Sequence, residues 1–261
     1  MSSTATSHDV TVKGFAGNLS VNDGGNGSAL PVLFAHSFAG SAEQWRPQLE
    51  HLRESRRAVA FDWRGHGQSD PSATNDYSIQ AVADDIGVVA DKLALNRFVL
   101  VGHSMGAAAA IAYAGSHADR VAGLLVEGAG GKMDDKMAKP MLEALENDYA
   151  TKMTEYWVRL LDHATPATHA LVKHDREVLN KETSLAMIRA TFAYDPLPDL
   201  KKYDGPKLSV IARAGDTPFA LHKLIPGLPV RIIDDSSHWT HLDQADEFNR
   251  ILDEFLSTIS G

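Results

Sequence analysis

Six short apolar runs recur along the chain: residues 31–35 (PVLFA), 58–62 (AVAFD), 97–102 (RFVLVG), 121–128 (VAGLLVEG), 207–212 (KLSVIA) and 229–234 (PVRIID). Their length and near-continuous hydrophobicity are those of strands buried on both faces. Between them the apolar spacing changes to that of a helix. Ile79, Val82, Ala83, Ile86, Val89, Ala90 and Leu93 fall on one helix face, and Phe248, Ile251, Leu252, Phe255, Leu256 and Ile259 on another. Ser41 and Gln44 have capping-box spacing ahead of a further helix, with Pro47 in its first turns, where a missing N–H does least harm. Two alternating segments, VTVKGF and NLSVND, precede the turn-rich GGNGSALP and predict a hairpin at the sheet edge. Strands alternating with helices predict an α/β fold with a mostly parallel, doubly wound sheet.

The alternation breaks between residues 130 and 198. KPMLEALENDY, TKMTEYWVRLLDH, PATHALVKHDREVL and ETSLAMIRATFAY are helix-like, and no strand pattern interrupts them. Pro140 and Pro166 suit first-turn positions and Thr165 an N-cap. A stretch of roughly 70 residues is too long for a structureless loop. We read residues 130–198 as a helical cap inserted into a core formed by residues 1–129 and 199–261.

In such a sheet, ligands bind outside the carboxyl ends of the strands, so the residues following each run are the candidates. After RFVLV comes Gly102-His103-Ser104-Met105-Gly106 and then an alanine-rich helix. A serine held in a strained turn between strand and helix needs small residues two positions to either side, and the helix start offers N–H groups to a developing negative charge. A serine hydroxyl is a poor nucleophile without a base, so a histidine and an orienting carboxylate are required downstream. Asp216 follows KLSVIA, and His238 follows the last strand. His241 lies where the last helix begins and is expected on a helix surface or turn. Glu127, at the end of GLLVE, is the rival to Asp216 as the acid. Asp234 and Asp235 are read as supporting the loop. Two backbone N–H groups are expected to bind the oxyanion, those of Met105 and of Phe38 in the loop His36-Ser37-Phe38-Ala39-Gly40.

Composition narrows the partners. The 261 residues carry a formal charge of −9 with no basic block, which argues against nucleic acid and anionic membranes. No apolar run reaches the roughly 18 residues of a spanning helix. The start, MSSTATSHDV, lacks the pattern of a secretory signal, and a cytoplasmic location is expected. The absence of cysteine removes disulfides, thiol nucleophiles and thiolate metal sites. No His-Glu-x-x-His spacing occurs, so neither a metal nor a cofactor is expected.

The stretches HSFAG (36–40), DWRGHGQSD (62–70), GHSMG (102–106), AGD (214–216) and SSHWTHLDQADEFNRILDEFL (236–256) together resemble the α/β-hydrolase superfamily, in particular its small cap-bearing serine esterases. The resemblance implies Ser104 as nucleophile, His238 as general base and acid, Asp216 as its orienting partner, and Phe38 and Met105 as oxyanion donors. It implies a structural role for Asp62, Arg64 and His66. Family members usually carry His-Gly-X where this chain has His36-Ser37-Phe38. A serine cannot take every glycine conformation without cost, and the departure bears on the direction of the Phe38 N–H.

The function expected is hydrolysis of a small-molecule carboxylic ester through an acyl-enzyme. The alternatives are a lactone or C–C bond hydrolase using the same residues, and a ligand-binding protein on a hydrolase scaffold. Trp157, Phe192, Phe219 and Trp239, with Tyr149 and Tyr194, are the candidates for a substrate pocket.

Overall fold

A computed structural model describes residues 7–259. The six apolar runs form β3 (Val32–Ala35), β4 (Ala58–Phe61), β5 (Phe98–His103), β6 (Val121–Glu127), β7 (Lys207–Ala212) and β8 (Val230–Ile233). The alternating segments form a hairpin of β1 (Ser7–Lys13) and β2 (Asn18–Gly24). All eight strands belong to one sheet in the order β1-β2-β4-β3-β5-β6-β7-β8. The hairpin joins β4 antiparallel, and the six remaining strands run parallel. Every residue of β3 to β6 is buried, as their unbroken apolar character requires. The run at β8 departs from that expectation: it is the edge strand, and only Ile233 is buried.

Chain direction across the sheet reverses beside β3. The chain leaves β3 for β4 on one side, whereas β5 leads to β6, β7 and β8 on the other. Loops after β3 and β5 therefore diverge and leave a crevice at their carboxyl ends. This is where the HSFAG and GHSMG turns lie.

Helices cover both faces. On one side α2 (Ile79–Lys92), α3 (Met105–Ser116) and α8 (Leu197–Lys202) pack Val82, Ile86, Val89, Ile111, Tyr113 and Leu200 into one core. On the other, α1 (Arg46–Leu52) and α11 (Ala245–Ser257) pack Leu49, Leu52, Phe248, Ile251, Leu252 and Phe255 into a second. Short helices α9 (Leu221–Leu224) and α10 (Thr240–Asp243) follow β7 and β8. The segment between β6 and α8 holds α4 (Asp135–Asn147), α5 (Tyr149–Leu160), α6 (Pro166–Arg176) and α7 (Lys181–Ala193).

Two local expectations are corrected. Pro140 lies inside α4, because Asp134 caps that helix and starts it earlier than the proline suggests. Ser41 makes no capping bond; a 3-10 turn, Ala42–Trp45, precedes α1, and both Ser41 Oγ and Gln44 Nε2 donate to Asp175 of α6. A buried carboxylate is the stronger acceptor, so it takes donors that an isolated helix start would keep. Thr165 and Pro166 do take the N-cap and first-turn positions of α6.

Arg64, after β4, and Asp85, on α2, form a buried pair with contacts of 2.8 and 2.7 Å. Arg64 also donates to the carbonyls of Ala81 and Asp76. Burial pushes the Asp85 carboxyl above its usual range even with Arg64 in place. Arg64→Ala is expected to cost about 3–5 kcal/mol, because it strands a buried charge. A urea midpoint displaced at constant m-value would show it; a loss below about 1 kcal/mol would contradict the pairing.

Candidate active site

Ser104 joins β5 to α3 with φ 55° and ψ −114°, a left-handed conformation that costs a non-glycine residue about 1–3 kcal/mol. Neighbouring residues hold it there. A Cβ at Gly102 would lie 2.5 Å from the Gly106 carbonyl, and one at Gly106 would strike the carbonyl oxygens of His36 and Ala35. The Ser104 N–H donates to the Glu127 carbonyl at 2.8 Å, tying the turn to the end of β6. No hydrogen bond within the described residues engages the Met105 N–H at the first position of α3.

The loop after β3 is cross-braced by two buried imidazoles. Trp63 N–H donates to His36 Nε2 at 3.1 Å, and Ala39 N–H donates to His66 Nε2 at 3.0 Å. Each ring accepts at Nε2, so its proton sits on Nδ1, facing the Ser37 and Arg64 carbonyls respectively. Burial holds both rings neutral, with His66 lowered to about 4. The positive φ in this loop falls on Ala39, at 53°, and not on Ser37. Ser37 therefore stands in the usual glycine position without left-handed strain, and its hydroxyl reaches Gln44 Oε1 at 3.3 Å. The Phe38 N–H, like that of Met105, has no partner among the described residues.

His238 is partly buried after β8. Its N–H donates to the Leu160 carbonyl of α5, and its carbonyl accepts from His103 Nε2 at 3.0 Å. The His103 and His238 rings lie 4.7 Å apart, so the histidine loop packs on the residue preceding Ser104. Among the described residues, no hydrogen bond joins Ser104 Oγ to His238, and neither Asp216 nor Glu127 is paired with the His238 ring. Asp216 pairs with His222 Nε2 at 3.1 Å and Lys223 Nζ at 3.2 Å. The Lys223 hydrogen bond, aided by His222, keeps its carboxyl below the usual range.

The expectation that His241 lies on a helix surface is overturned. It is fully buried on α10, stacked on Trp45 at 4.1 Å, with Nδ1 2.7 Å from Glu127 Oε2. Glu127 Oε1 accepts from Thr240 Oγ1 at 2.5 Å and from His241 N–H at 3.2 Å. Burial alone would raise the Glu127 carboxyl, but the facing His241 and His103 rings and the Thr240 hydroxyl bring it down to about 2. Ligating atoms of His103, Glu127 and His241 lie within 4.8 Å of one another. Two ligands of a tetrahedral zinc ion stand roughly 3.3 Å apart at bond lengths of about 2.0–2.1 Å. The 2.7 Å between Glu127 and His241 is shorter, that of a carboxylate and ring paired with each other.

The sequence matches the alpha/beta hydrolase fold family over residues 31–245. The chain belongs to that family. It is 28% identical over 258 residues to the non-heme chloroperoxidase CPO-A1 of Kitasatospora aureofaciens, covering 88% of this chain and 94% of that protein. It superimposes on Est816, described as an N-acyl homoserine lactone degrading enzyme, with a TM-score of 0.82 and 25% identity over 94% of this chain and all of that one. The esterase EaEST of Exiguobacterium antarcticum shares the fold with a TM-score of 0.82 at 20% identity, covering 96% of this chain and 100% of that one. These relatives mark the chain as a hydrolase.

In this alpha/beta hydrolase Ser104, Met105 and Phe38 line one cavity of about 250 Å³, walled by Met141, Leu145, Met153, Ile188 and Phe192 of α4, α5 and α7. Lys152, Glu155 and Arg159 of α5 also line it. Phe192, a sequence candidate for the substrate pocket, is among these lining residues. Trp157 lines a neighbouring groove of about 980 Å³ with Tyr149, its ring stacked on Phe38 at 6.0 Å. Trp239 and Phe219 line neither. Trp239 is buried, its indole N–H bonded to Gln44 Oε1, and Phe219 is 47% exposed beside the bridge between Gly130 and Ala220. Tyr194 is bound through its hydroxyl to Asp199. No helix among the described residues is long and apolar enough to cross a membrane.

Sequence reasoning did not find the supports. Gln44 accepts from Ser37 and Trp239 and donates to Asp175, linking the loop after β3, the histidine loop and α6. Its capping-box spacing with Ser41 was the one local signal. His66 lies in a stretch read as structural, where Asp62 accepts from the Ala42 and Gln68 N–H groups and Arg64 pairs with Asp85, and its Nε2 accepts from the Ala39 N–H next to Phe38. His66→Phe keeps a ring there and leaves the buried Ala39 N–H unpaired. A loss of about 1–3 kcal/mol in urea unfolding is expected; an unchanged midpoint would show that the bond contributes nothing.

Proposed function

We propose that this hydrolase cleaves a carboxylic ester through an acyl-enzyme on Ser104, with His238 as general base and acid. The observation that carries the reading is the conjunction at one cavity of a serine in a strained turn with two backbone N–H groups, of Phe38 and Met105, that nothing among the described residues engages. Such donors, fixed before the reaction, favour an oxyanion over the flat carbonyl it forms from.

In the first half-reaction Ser104 Oγ attacks the ester carbonyl carbon while His238 takes the hydroxyl proton. The oxyanion lies against the N–H groups of Phe38 and Met105. Collapse breaks the bond to the alcohol, which leaves with the proton from His238. Water then gives a proton to His238 as it attacks the acyl carbon; collapse breaks the bond to Ser104 Oγ, which takes the proton back from His238, and the carboxylic acid is released. The chain order assigns the orienting acid to Asp216, whose carboxylate would have to part from His222 and Lys223 to reach the imidazole.

A lactone is an ester closed into a ring, and the same residues open it. The likeness to Est816 supports including lactones in the substrate class. The cavity, at about 250 Å³ with methionine, leucine and isoleucine walls, fits a small apolar acyl group better than a long chain. Short p-nitrophenyl esters and small lactones are therefore the expected substrates. Ser104→Ala should retain the fold and lose at least about 10^4-fold in kcat/KM, with a phosphonate labelling the wild-type serine alone. Near-normal turnover by Ser104→Ala would remove Ser104 from the mechanism.

A base acts only when neutral. Burial lowers His238 to about 4, with Glu127 of β6 acting upward, and His241 of α10 and Arg159 of α5 acting downward. The kcat/KM is therefore expected to stay level through neutral pH and to fall as the pH drops through about 4, when the ring takes up a proton. An acid limb at pH 6.5 or above, the range of an unburied imidazole, would contradict this placement of the base.

A further inference from the structure

We propose that Tyr156 selects the substrate of this hydrolase: its phenol hydroxyl is an unspent hydrogen-bond donor in the wall of the Ser104 cavity, and the acyl group it selects is a small apolar chain carrying one acceptor oxygen, of an ether or a carbonyl. The proposal deepens the reading of Ser104 given above and rests on it.

Most of the polar side chains that α5 and α7 bring to this cavity are already bonded. Thr191 Oγ1 donates to the Met187 carbonyl at 2.9 Å. Glu155 accepts from Lys152 Nζ through both oxygens, at 3.1 and 2.8 Å. Tyr156 lines the same cavity, its half-buried ring standing at 75° to that of Trp157 with centroids 5.2 Å apart. No hydrogen bond among the described residues engages its hydroxyl. Arg159, one turn further along α5, places its guanidinium 5.9 Å from the Tyr156 ring centroid and has no ion pair among the described residues. The phenol hydroxyl and the guanidinium are therefore the free donors that α5 presents beside the nucleophile, the first neutral and the second exposed to water.

A hydroxyl drawn away from bulk water without a partner is unfavourable, and phenylalanine would fill the same wall without that cost. A few placed polar groups among apolar walls are what fix the orientation of a small ligand. Burial pushes the phenol up to about 12, against the charge of Arg159, so the group is a neutral donor at neutral pH. Its neighbours decide what it binds. The Glu155 carboxylate in the lining is occupied by Lys152, and Arg159 adds positive potential beside the phenol, so an oxygen that accepts is favoured over a group that donates. A purely hydrocarbon acyl chain fills the cavity and leaves the Tyr156 hydroxyl unpaired. One with an ether or carbonyl oxygen pairs it.

The test uses the full chain and p-nitrophenyl esters in pairs in which an ether oxygen replaces a methylene: methoxyacetate against butyrate, and β-methoxypropionate against pentanoate. The oxygen changes the intrinsic reactivity of an ester equally for wild type and Tyr156→Phe, so the quantity read is the kcat/KM ratio of ether to hydrocarbon ester, compared between the two proteins. Tyr156→Phe is expected to lower that ratio about 3- to 12-fold in at least one pair, the worth of one hydrogen bond between neutral groups, with the hydrocarbon esters within about twofold of wild type. Thermal unfolding followed by circular dichroism is expected to coincide for the two proteins, because the hydroxyl bonds nothing in the fold among the described residues. A ratio changed by less than about threefold in both pairs overturns the proposal, whether the two esters of a pair fall together or do not fall at all. Failure of the underlying reading shows separately, as turnover of the hydrocarbon esters that survives Ser104→Ala or is absent from the wild type.

Discussion

A carboxylate at the end of β6 from which all solvent is excluded has to find its partners within the protein, and the site takes its shape from how Glu127 finds them. Its side chain draws in Thr240 and His241, and its main-chain carbonyl receives Ser104. Removing one partner of a buried charge costs about 3–5 kcal/mol, several times a surface contact, so these segments cannot drift independently. Ser104 pays for its φ of 55° from the same source: the turn is gripped by Glu127 on one side and by the contact of Gly106 with the end of β3 on the other. Strain at a reactive residue persists only where its surroundings over-determine it.

A second polar network does for the loop after β3 what Glu127 does for β5 and β8. Gln44 links Ser37, Trp239 and Asp175, so that α6 is bonded to the loop carrying Phe38 and to the residue after His238. Burial raises Asp175 to about 6, against the hydrogen bonds from Gln44 and Ser41. Phe38 stacks on Trp157 of α5, and the His238 N–H meets the Leu160 carbonyl of that helix. Helices between β6 and α8 thereby touch the candidate oxyanion loop and the histidine loop as well as the cavity between them. A change in their packing reaches the placement of both.

What the sequence reveals here is what is local. Continuous apolar runs identified β3 to β7 because a strand buried on both faces leaves no polar alternation, and GHSMG is legible because the turn is built from five adjacent residues. The supports were not legible, because each joins residues far apart in the chain. Glu127 and His241 are 114 positions apart in the bond to the His241 amide, and Gln44 and Trp239 are 195 apart. His241 follows a strand and opens a helix, a position that reads as surface until the carboxylate opposite is known. Ser41 and Gln44 carry a correct capping pattern, overridden by Asp175 arriving from α6. Even the departure at Ser37 could be interpreted only with φ angles in hand, since the left-handed residue proved to be Ala39.

Imidazoles recur in these supports for a physical reason. A neutral ring offers one donor and one acceptor on opposite edges of a rigid plane, so it can join two loops without bringing a charge into the interior. His36 and His66 both accept a main-chain N–H at Nε2, from Trp63 and Ala39, and present Nδ1 to a carbonyl. His103 has the opposite tautomer, because its Nε2 must donate to the His238 carbonyl. Lysine or arginine could supply only donors, and a carboxylate only acceptors, each with a charge that would act on His238 and on any oxyanion nearby. Burial holds all three rings in the neutral form that these bonds require. Glu127 is then a buried charge that joins the turn of Ser104 to the segment just after His238, through its main-chain carbonyl on one side and its bonds to Thr240 and His241 on the other.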